Sequence, residues 1–317
     1  MKIKHRKAFI CGIKGTKLSK KEFKFIKKYK PWGIILFSRN IKDISQTQKL
    51  TSSIRRLFND KNYPILIDQE GGKINRLKRI ITFDNLTAEY FGEKYLKNKY
   101  EFKIFFKLFI DKTAFLLKQL GININSVPVL DLRVKGSSNV IGDRSYSKNP
   151  KIVSQIGDLC IKLFHENSIG TIIKHLPGHG LAKVDSHHFT PMINKSFKYL
   201  SKNDFKPFKK KKSFFGMTGH LIFKKIDKEN TVTHSKKMIT IIRKKIGFNN
   251  ILISDDLSMK SLKYNLELNT IKAFNAGCNL ALHCNGNLKE MQIVAKNSPL
   301  INNFIIKKTS QFYRILR

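Results

Sequence analysis

The segment from Lys174 to Pro191, K-H-L-P-G-H-G-L-A-K-V-D-S-H-H-F-T-P, gathers side chains that can move a proton or bind a metal ion. It holds four of the nine histidines of the chain and one aspartate: His175, His179, His187, His188 and Asp185. Histidine is the side chain whose unperturbed pKa, about 6.5, lies nearest to neutral pH. The segment therefore indicates either acid–base chemistry or metal binding.

Asp185 and His187 form one candidate pair, because residues two apart lie on the same side of an extended segment. The carboxylate would hold the imidazole in one tautomer and stabilise its protonated form. A positioned acid–base group of this kind is worth about 10²–10⁴-fold in rate. Pro177, Gly178 and Gly180 precede the pair, so we expect a loop that can close over a substrate. The alternative is a polar surface loop.

Two adjacent carboxylates, Asp255 and Asp256, follow the apolar run I-L-I-S. Side chains alternate along a strand, so the two cannot both point into one pocket. One can face a site while the other supports a turn or caps the next helix. A carboxylate at a strand end is suited to nucleophilic attack on an electrophilic carbon. The alternative is that both are capping residues.

The segment D-Q-E-G-G-K-I-N-R supplies Asp68, Glu70 and Arg76, which can hydrogen-bond a ligand that carries several hydroxyl groups. Its paired glycines allow close backbone approach, but they lack the spacing of a dinucleotide-binding fingerprint.

Further donors lie in two other segments. In I-G-D-R-S-Y, Arg144 can make a forked contact to a carbonyl or carboxylate group of a ligand, or it can form a salt bridge with Asp143. Lys174 and His175 add two more potential donors.

These residues must be positioned by the elements around them, and the pattern of the chain predicts an α/β fold. Eight short apolar runs are expected to be buried strands, at residues 8–13, 32–37, 64–68, 122–131, 170–175, 214–222, 249–255 and 277–284. Helical patterns lie between most of them, at residues 44–58, 102–120, 150–166, 235–246 and 260–276. The alternation predicts a single-domain (β/α)8 TIM-type barrel over residues 1–317, with a doubly wound open sheet as the alternative.

Polar side chains stand at the ends of six of these predicted strands, and this placement supports a barrel enzyme. Asp131, Asp255 and His283 are examples from three of them. The carboxyl ends of barrel strands meet on one face, where barrel enzymes keep their active sites.

Composition limits the remaining possibilities. The formal charge of +40, from 62 basic and 22 acidic residues, would suit a nucleic-acid partner, but the lysines are spread along the whole chain. We therefore favour compositional drift, and we expect neither a specific nucleic-acid nor a membrane partner. Four scattered cysteines without a C-x-x-C pair indicate a reducing, cytoplasmic location. No apolar stretch reaches the roughly 18 residues of a membrane span.

Taken together, the motifs resemble those of the bacterial β-N-acetylhexosaminidases of glycoside hydrolase family 3. The resemblance runs in order through most of the chain, over L-F-S-R-N, I-D-Q-E-G-G-K-I-N-R, V-P-V-L-D-L, I-G-D-R-S-Y, K-H-L-P-G-H-G, D-S-H, M-T-G-H, I-S-D-D-L-S-M and A-G-C-N-L-A-L-H-C-N. It implies a single catalytic barrel. It also implies retaining removal of terminal β-linked N-acetylglucosamine from cell-wall muropeptides during peptidoglycan recycling.

The resemblance also assigns roles to residues. It implies Asp255 as the nucleophile and His187 as the acid/base, with Asp185 as the partner that orients His187. It implies that five residues bind the substrate: Asp68, Arg76, Arg144, Lys174 and His175. We expect a monomer that takes a small carbohydrate and uses no cofactor and no metal. Many larger relatives draw an acid/base carboxylate from a second domain, whereas this chain ends soon after its eighth strand, so we expect the acid to come from a barrel loop.

The departures from the family pattern are local. Gly219 stands where M-T-A-H has alanine, Asn279 stands where an acid is frequent, and His188 and Phe189 add bulk after D-S-H. Two other functions remain open on the residues alone. One is a metal-dependent barrel hydrolase that uses the same histidines. The other is a charge-driven binder of anionic polymers.

Overall fold

Eight parallel strands close into a barrel in the computed structural model, which describes residues 2–186 and 188–316. Going around the barrel from the first strand, each strand pairs with the next one in the order β1, β2, β3, β4, β5, β7, β9 and β10, and β10 pairs with β1. The bounds of these strands are Lys7–Gly12 (β1), Pro31–Leu36 (β2), Ile65–Ile67 (β3), Ile124–Asn125 (β4), Gly170–Leu176 (β5), Phe215–Thr218 (β7), Ile251–Asp256 (β9) and Leu280–His283 (β10). Two short strands, Met192–Ile193 (β6) and Ile222–Phe223 (β8), pair in a separate sheet.

The predicted (β/α)8 barrel is therefore confirmed, and the open sheet is wrong. Each of the eight predicted strands has a counterpart, although two differ in extent. The run at 122–131 forms only a two-residue strand, because the chain turns after Asn125, where the N–H of Val127 donates back to the Asn125 carbonyl over 2.9 Å. The run at 214–222 divides into β7 and β8, which belong to different sheets.

Ten α-helices surround the barrel within the described residues. Their bounds are Lys20–Tyr29 (α1), Ile44–Phe58 (α2), Ala88–Lys97 (α3), Lys99–Gln119 (α4), Pro150–Glu166 (α5), Phe197–Lys202 (α6), Lys236–Ile241 (α7), Leu266–Ala276 (α8), Leu288–Asn297 (α9) and Asn303–Ile315 (α10). The predicted bounds of α2 and α5 are confirmed. The pattern at 235–246 continues beyond α7 as a π-helical turn, Ile242–Ile246. None of the described helices has the length and apolar content of a membrane span.

The amino ends of the strands are closed by α10. Phe312 packs edge-on against Phe215 at a ring distance of 5.2 Å, and the indole nitrogen of Trp32 donates to Thr309 Oγ1 over 2.9 Å. Trp32 and Phe215 lie at the starts of their strands. The end of the barrel where the strands finish is therefore the side on which we expect a ligand to enter.

Candidate active site

A cavity of about 110 Å³ lies at the carboxyl ends of the strands. Six of the predicted site residues line it: Asp68, Arg76, Arg144, Lys174, His175 and Asp255. They come from loops and strand ends separated by up to 187 positions in the chain, from 68 to 255. The barrel thus brings together charged groups that the sequence leaves far apart.

Lys174 is at the centre of the charges in this cavity. Its side chain is 3% exposed, and its ammonium group lies 2.8 Å from Asp68 Oδ1 and 2.7 Å from Glu70 Oε1. Burial alone would lower the pKa of Lys174, but the two carboxylates outweigh burial and raise it. Lys174 is therefore a fixed cation at neutral pH.

Glu70 was expected from the sequence to bind a ligand, but in the structure its carboxylate is taken up by Arg144 and Lys174. Its two oxygens accept hydrogen bonds from Arg144 Nε over 2.8 Å and from Arg144 Nη2 over 2.9 Å. Burial raises the pKa of a carboxyl group, yet Arg144 and Lys174 hold the pKa of Glu70 far below its usual range. The alternative pairing of Arg144 with Asp143 is wrong, since Asp143 faces the exposed Lys73 at 3.3 Å.

Asp131 organises the segment that follows β5. Its Oδ2 accepts from the ring Nδ1 of His175 over 2.6 Å, and its Oδ1 accepts from the backbone N–H of His179 over 2.6 Å. A carboxylate can only accept here, so Nδ1 of His175 carries a proton. The His175 contact overcomes the effect of burial and lowers the pKa of Asp131.

The turn after β5 packs tightly on a second buried acid, Asp204. Gly178 has φ +140°, and a Cβ atom placed on it would come within 2.9 Å of the Asp204 Cβ. Asp204 is 2% exposed, and burial raises its pKa to about 7. The turn therefore requires glycine at this position, and it covers a carboxyl group that loses its proton near neutral pH.

The candidate acid–base loop is joined to this turn through His179. The ring Nε2 of His179 lies 3.1 Å from the hydroxyl oxygen of Ser186, and both side chains are buried. Burial lowers the pKa of His179 to about 4, so the ring is neutral at pH 7. Asp185 is half-buried beside Ser186, and His187 lies outside the described residues.

The two carboxylates at the end of β9 divide as alternation requires. Asp255 lines the cavity. Asp256 points away and accepts from the N–H and the hydroxyl of Ser258, over 3.0 and 2.9 Å. Asp256 thus supports the turn after β9, which confirms the prediction that one of the two faces the site.

His220 braces the same strand end and was not predicted to do so. Its Nε2 donates to the backbone oxygen of Asp256 over 3.0 Å, and its Nδ1 accepts from Thr233 Oγ1 over 2.7 Å. Burial lowers the pKa of His220, so the ring stays neutral and keeps this tautomer. These two hydrogen bonds join β9 to two other segments of the chain. The sequence does not show that these segments are neighbours.

Arg76 closes one side of the cavity. Its guanidinium group lies 5.3 Å from the ring centre of Phe37, and Arg39 lies 4.6 Å from the same ring. The two arginines therefore share one aromatic surface. Among the residues that the structure describes, no group of three or more His, Cys, Asp or Glu side chains is arranged to hold a metal ion.

Comparison with known proteins gives the same family as the motifs. Residues 5–311 match the model of the glycosyl hydrolase family 3 N-terminal domain. The chain belongs to glycoside hydrolase family 3. A β-hexosaminidase of Actinobacillus pleuropneumoniae serotype 3 is 33% identical over 286 residues, which cover 87% of this chain and 80% of the relative. A β-hexosaminidase of Idiomarina loihiensis is 30% identical over 294 residues, which cover 92% of this chain and 87% of the relative.

Solved structures of the family share the barrel of this glycoside hydrolase. NagZ from Neisseria gonorrhoeae, in complex with N-trifluoroacetyl-D-glucosamine, superposes with a TM-score of 0.86 at 25% identity, covering 98% of this chain and 90% of that one. A family 3 β-N-acetylglucosaminidase from Paenibacillus has a TM-score of 0.85 at 24% identity. That likeness covers 99% of this chain but 61% of the Paenibacillus chain, so it shows the barrel only.

Proposed function

We propose that this glycoside hydrolase is a retaining exo-β-N-acetylglucosaminidase. The observation that carries the proposal is the position of the Asp255 carboxylate in the same cavity as the buried cluster of Lys174, Arg144 and Asp68. A sugar ring presents several hydroxyl groups, and fixed donors and acceptors around one carboxylate are suited to orienting such a ring against a nucleophile. The curated relatives named above are β-hexosaminidases.

In the proposed first step, an oxygen of Asp255 forms a bond to the anomeric carbon of the sugar while the bond to the leaving oxygen breaks. His187 gives its proton to that oxygen, so the leaving group departs as a neutral alcohol. In the second step, neutral His187 takes a proton from water, and the water oxygen displaces Asp255 from the anomeric carbon. Two displacements at one carbon return the starting β configuration.

The acid/base differs from that of most retaining glycosidases, which pair two carboxylates about 5–5.5 Å apart. In this proposal a histidine replaces one of them, and Asp185 orients it and stabilises its charged form. Support comes from the described neighbours, since His179 and Ser186 hold the same loop against the cavity.

The substrate-binding roles follow from the charges. Lys174 is buried, the side chain of Arg144 is 11% exposed, and both cations pair with Glu70. We assign Asp68, Arg76, Arg144, Lys174 and His175 to binding of the terminal sugar. The substrate class that we propose is an N-acetylglucosamine-containing muropeptide, processed by a cytoplasmic monomer during peptidoglycan recycling.

The experiment that tests this function compares turnover of aryl β-N-acetylglucosaminide, β-glucoside and β-N-acetylgalactosaminide. The proposal expects the N-acetylglucosaminide to be cleaved with the highest kcat/KM. Preference for the glucoside would contradict the substrate assignment. Release of N-acetylglucosamine from a purified muropeptide, followed by mass spectrometry, tests the natural substrate class.

A further inference from the structure

The outward side of α4 carries large apolar side chains where a surface helix of a barrel normally carries charge. Tyr100, Ile104, Leu108 and Phe115, which we call the α4 stripe, lie within about 80° of one another around the helix axis. They are strongly exposed, with values of 75% for Tyr100, 59% for Leu108 and 54% for Phe115. The side of α4 that packs on the protein lies roughly opposite and holds Phe102, Phe106, Ile110, Thr113, Ala114, Leu116 and Leu117. The helix therefore carries large apolar residues on two sides. The side that faces solvent also holds Asp111, whose carboxylate is paired with Lys107 and Asn167.

Lysines border the α4 stripe. Lys103 and Lys107 flank it on one side and Lys112 on the other, and all three are exposed. From residue 97 to residue 118 the chain has six lysines and two acids, Glu101 and Asp111. Asp111 is already paired with Lys107 along the helix. The surface around the stripe is thus cationic.

We propose that α4 docks on the surface of an anionic lipid bilayer, with the stripe entering the boundary between headgroups and acyl chains. A helix that lies in this boundary has an apolar side with bulky residues and a polar side rich in lysine. Aromatic side chains are stable at this depth because they present both an apolar body and a polarisable or polar edge. The lysine stems can follow the apolar surface while their ammonium groups reach the lipid phosphates.

The positive charge around the α4 stripe favours an anionic bilayer over a second copy of the chain as the binding partner. A symmetric contact between two α4 helices would bring the two lysine borders together, in a chain whose formal charge is already +40. The apolar stripe likewise disfavours nucleic acid, which would be bound by lysines alone. An anionic bilayer matches both the charge and the apolar surface. The helix lies on the membrane in this proposal and does not cross it.

The docking leaves the active-site end of the barrel open. The α4 helix lies on the flank of the barrel, where it packs against α3 and α5. A bilayer beneath α4 would therefore run alongside the barrel, and the cavity at the strand ends would open along the membrane plane. Hydrolysis of a small soluble substrate should not depend on docking, so this inference is independent of the proposed function. It differs from the expectation drawn from the sequence that the chain has no membrane partner, and the test below decides between the two.

The test is co-sedimentation of the full chain with large vesicles of phosphatidylcholine, either pure or mixed equally with phosphatidylglycerol. The variant Leu108→Glu is compared with Leu300→Glu, which places the same charge at a leucine that is 58% exposed elsewhere on the surface. We expect the wild type to bind the anionic vesicles only. Leu108→Glu should lose about tenfold or more in partition coefficient, because it adds a second carboxylate to this side of α4, where the existing Asp111 is neutralised by Lys107. Leu300→Glu should bind like the wild type.

A second variant, Phe115→Ser, should also weaken binding, which would show that the loss in Leu108→Glu is not due to misfolding of that one variant. Circular dichroism checks the fold of each variant. Absence of wild-type binding to anionic vesicles would overturn the proposal. Equal loss in Leu108→Glu and Leu300→Glu would also overturn it, because the binding would then reflect net charge alone. A wild-type dimer in analytical ultracentrifugation that Leu108→Glu dissociates would assign the stripe to self-association instead.

Discussion

The ring Nε2 of His179 lies 3.1 Å from the hydroxyl oxygen of Ser186, and this bond joins the turn after β5 to the loop that carries Asp185 and His187. His179 is itself held at its backbone N–H by Asp131. A chain of contacts therefore leads from the end of the barrel to the candidate acid–base loop. The position of the loop depends on a histidine that does no chemistry in the proposed reaction.

Ser186→Ala should slow the steps that need proton transfer. A hydrogen bond of this kind contributes about 0.5–1.5 kcal/mol, so kcat/KM should fall about 2–10-fold for a substrate with a poor leaving group. An activated aryl glycoside, which needs little acid assistance, should be affected less. The control is Ser53→Ala, which removes a hydroxyl bonded within α2. Equal losses for both substrates would indicate that the bond does not position the acid.

His187→Ala and Asp255→Ala should differ in their dependence on the leaving group. Without His187, cleavage of poor leaving groups should fall about 10²–10⁴-fold, while activated substrates react and leave a slowly hydrolysed intermediate. Added azide should then speed turnover by attacking that intermediate. Asp255→Ala should be inactive with every leaving group. Steady-state kinetics over a leaving-group series measures both effects, and wild-type-like turnover in either variant would contradict its assigned role.

Glu70→Gln should destabilise the fold and weaken substrate binding together. Removing one partner of a buried charge pair costs about 3–5 kcal/mol, because Arg144 and Lys174 would remain buried with less compensation. Thermal unfolding and KM measure the two effects. Asp143→Asn is the matched control, since its 3.3 Å pair with Lys73 is exposed and should contribute less than about 1 kcal/mol. Similar unfolding temperatures for the two variants would show that the pairing of Glu70 with Arg144 and Lys174 does not stabilise the fold.

Asp204→Asn should change how stability depends on pH. Burial raises the pKa of Asp204 to about 7 from 3.8, so the folded protein holds a proton that the unfolded chain has lost. Ionising the buried carboxyl destabilises the folded protein. This cost is absent below pH 3.8, grows between pH 3.8 and about pH 7, and is complete above about pH 7. The stability of the variant relative to the wild type should therefore rise by roughly 2–3 kcal/mol from pH 5 to pH 8. Urea unfolding at both pH values measures this difference, and a constant offset would contradict the raised pKa.

The sequence was sufficient to predict the barrel because its strands are buried on both faces and read as continuous apolar runs. Helices were predicted less completely. The strongly amphipathic α2 and α5 were found with their bounds, but α1, α3, α6, α9 and α10 were not predicted. These helices are shorter than α2 and α5, but α1 and α10 are just as amphipathic, so their apolar spacing was present in the sequence and was missed.

The positions of several cavity residues could be predicted from the sequence, but their contacts could not, and their roles stay predictions. Strand-end position predicted that Asp255 and Lys174 lie at the same end of the barrel, because the carboxyl ends of barrel strands converge, and both line the cavity. The pairings were not accessible from sequence: Glu70 reaches Arg144 across 74 positions, and Asp131 reaches His175 across 44. Such contacts depend on the order of strands around the barrel and on rotamers, neither of which a motif specifies.

The central claim is that Asp255 forms a covalent bond to the sugar, and peptide mass spectrometry of the trapped intermediate tests it most directly. The enzyme is incubated with a β-N-acetylglucosaminide that bears fluorine at C5 and a good leaving group, which slows release of the sugar from the protein. We predict a mass increase of one fluorinated sugar on the peptide that contains Asp255, and none in Asp255→Ala. A modified peptide from elsewhere in the chain, or turnover of the reagent without any adduct, would contradict the account.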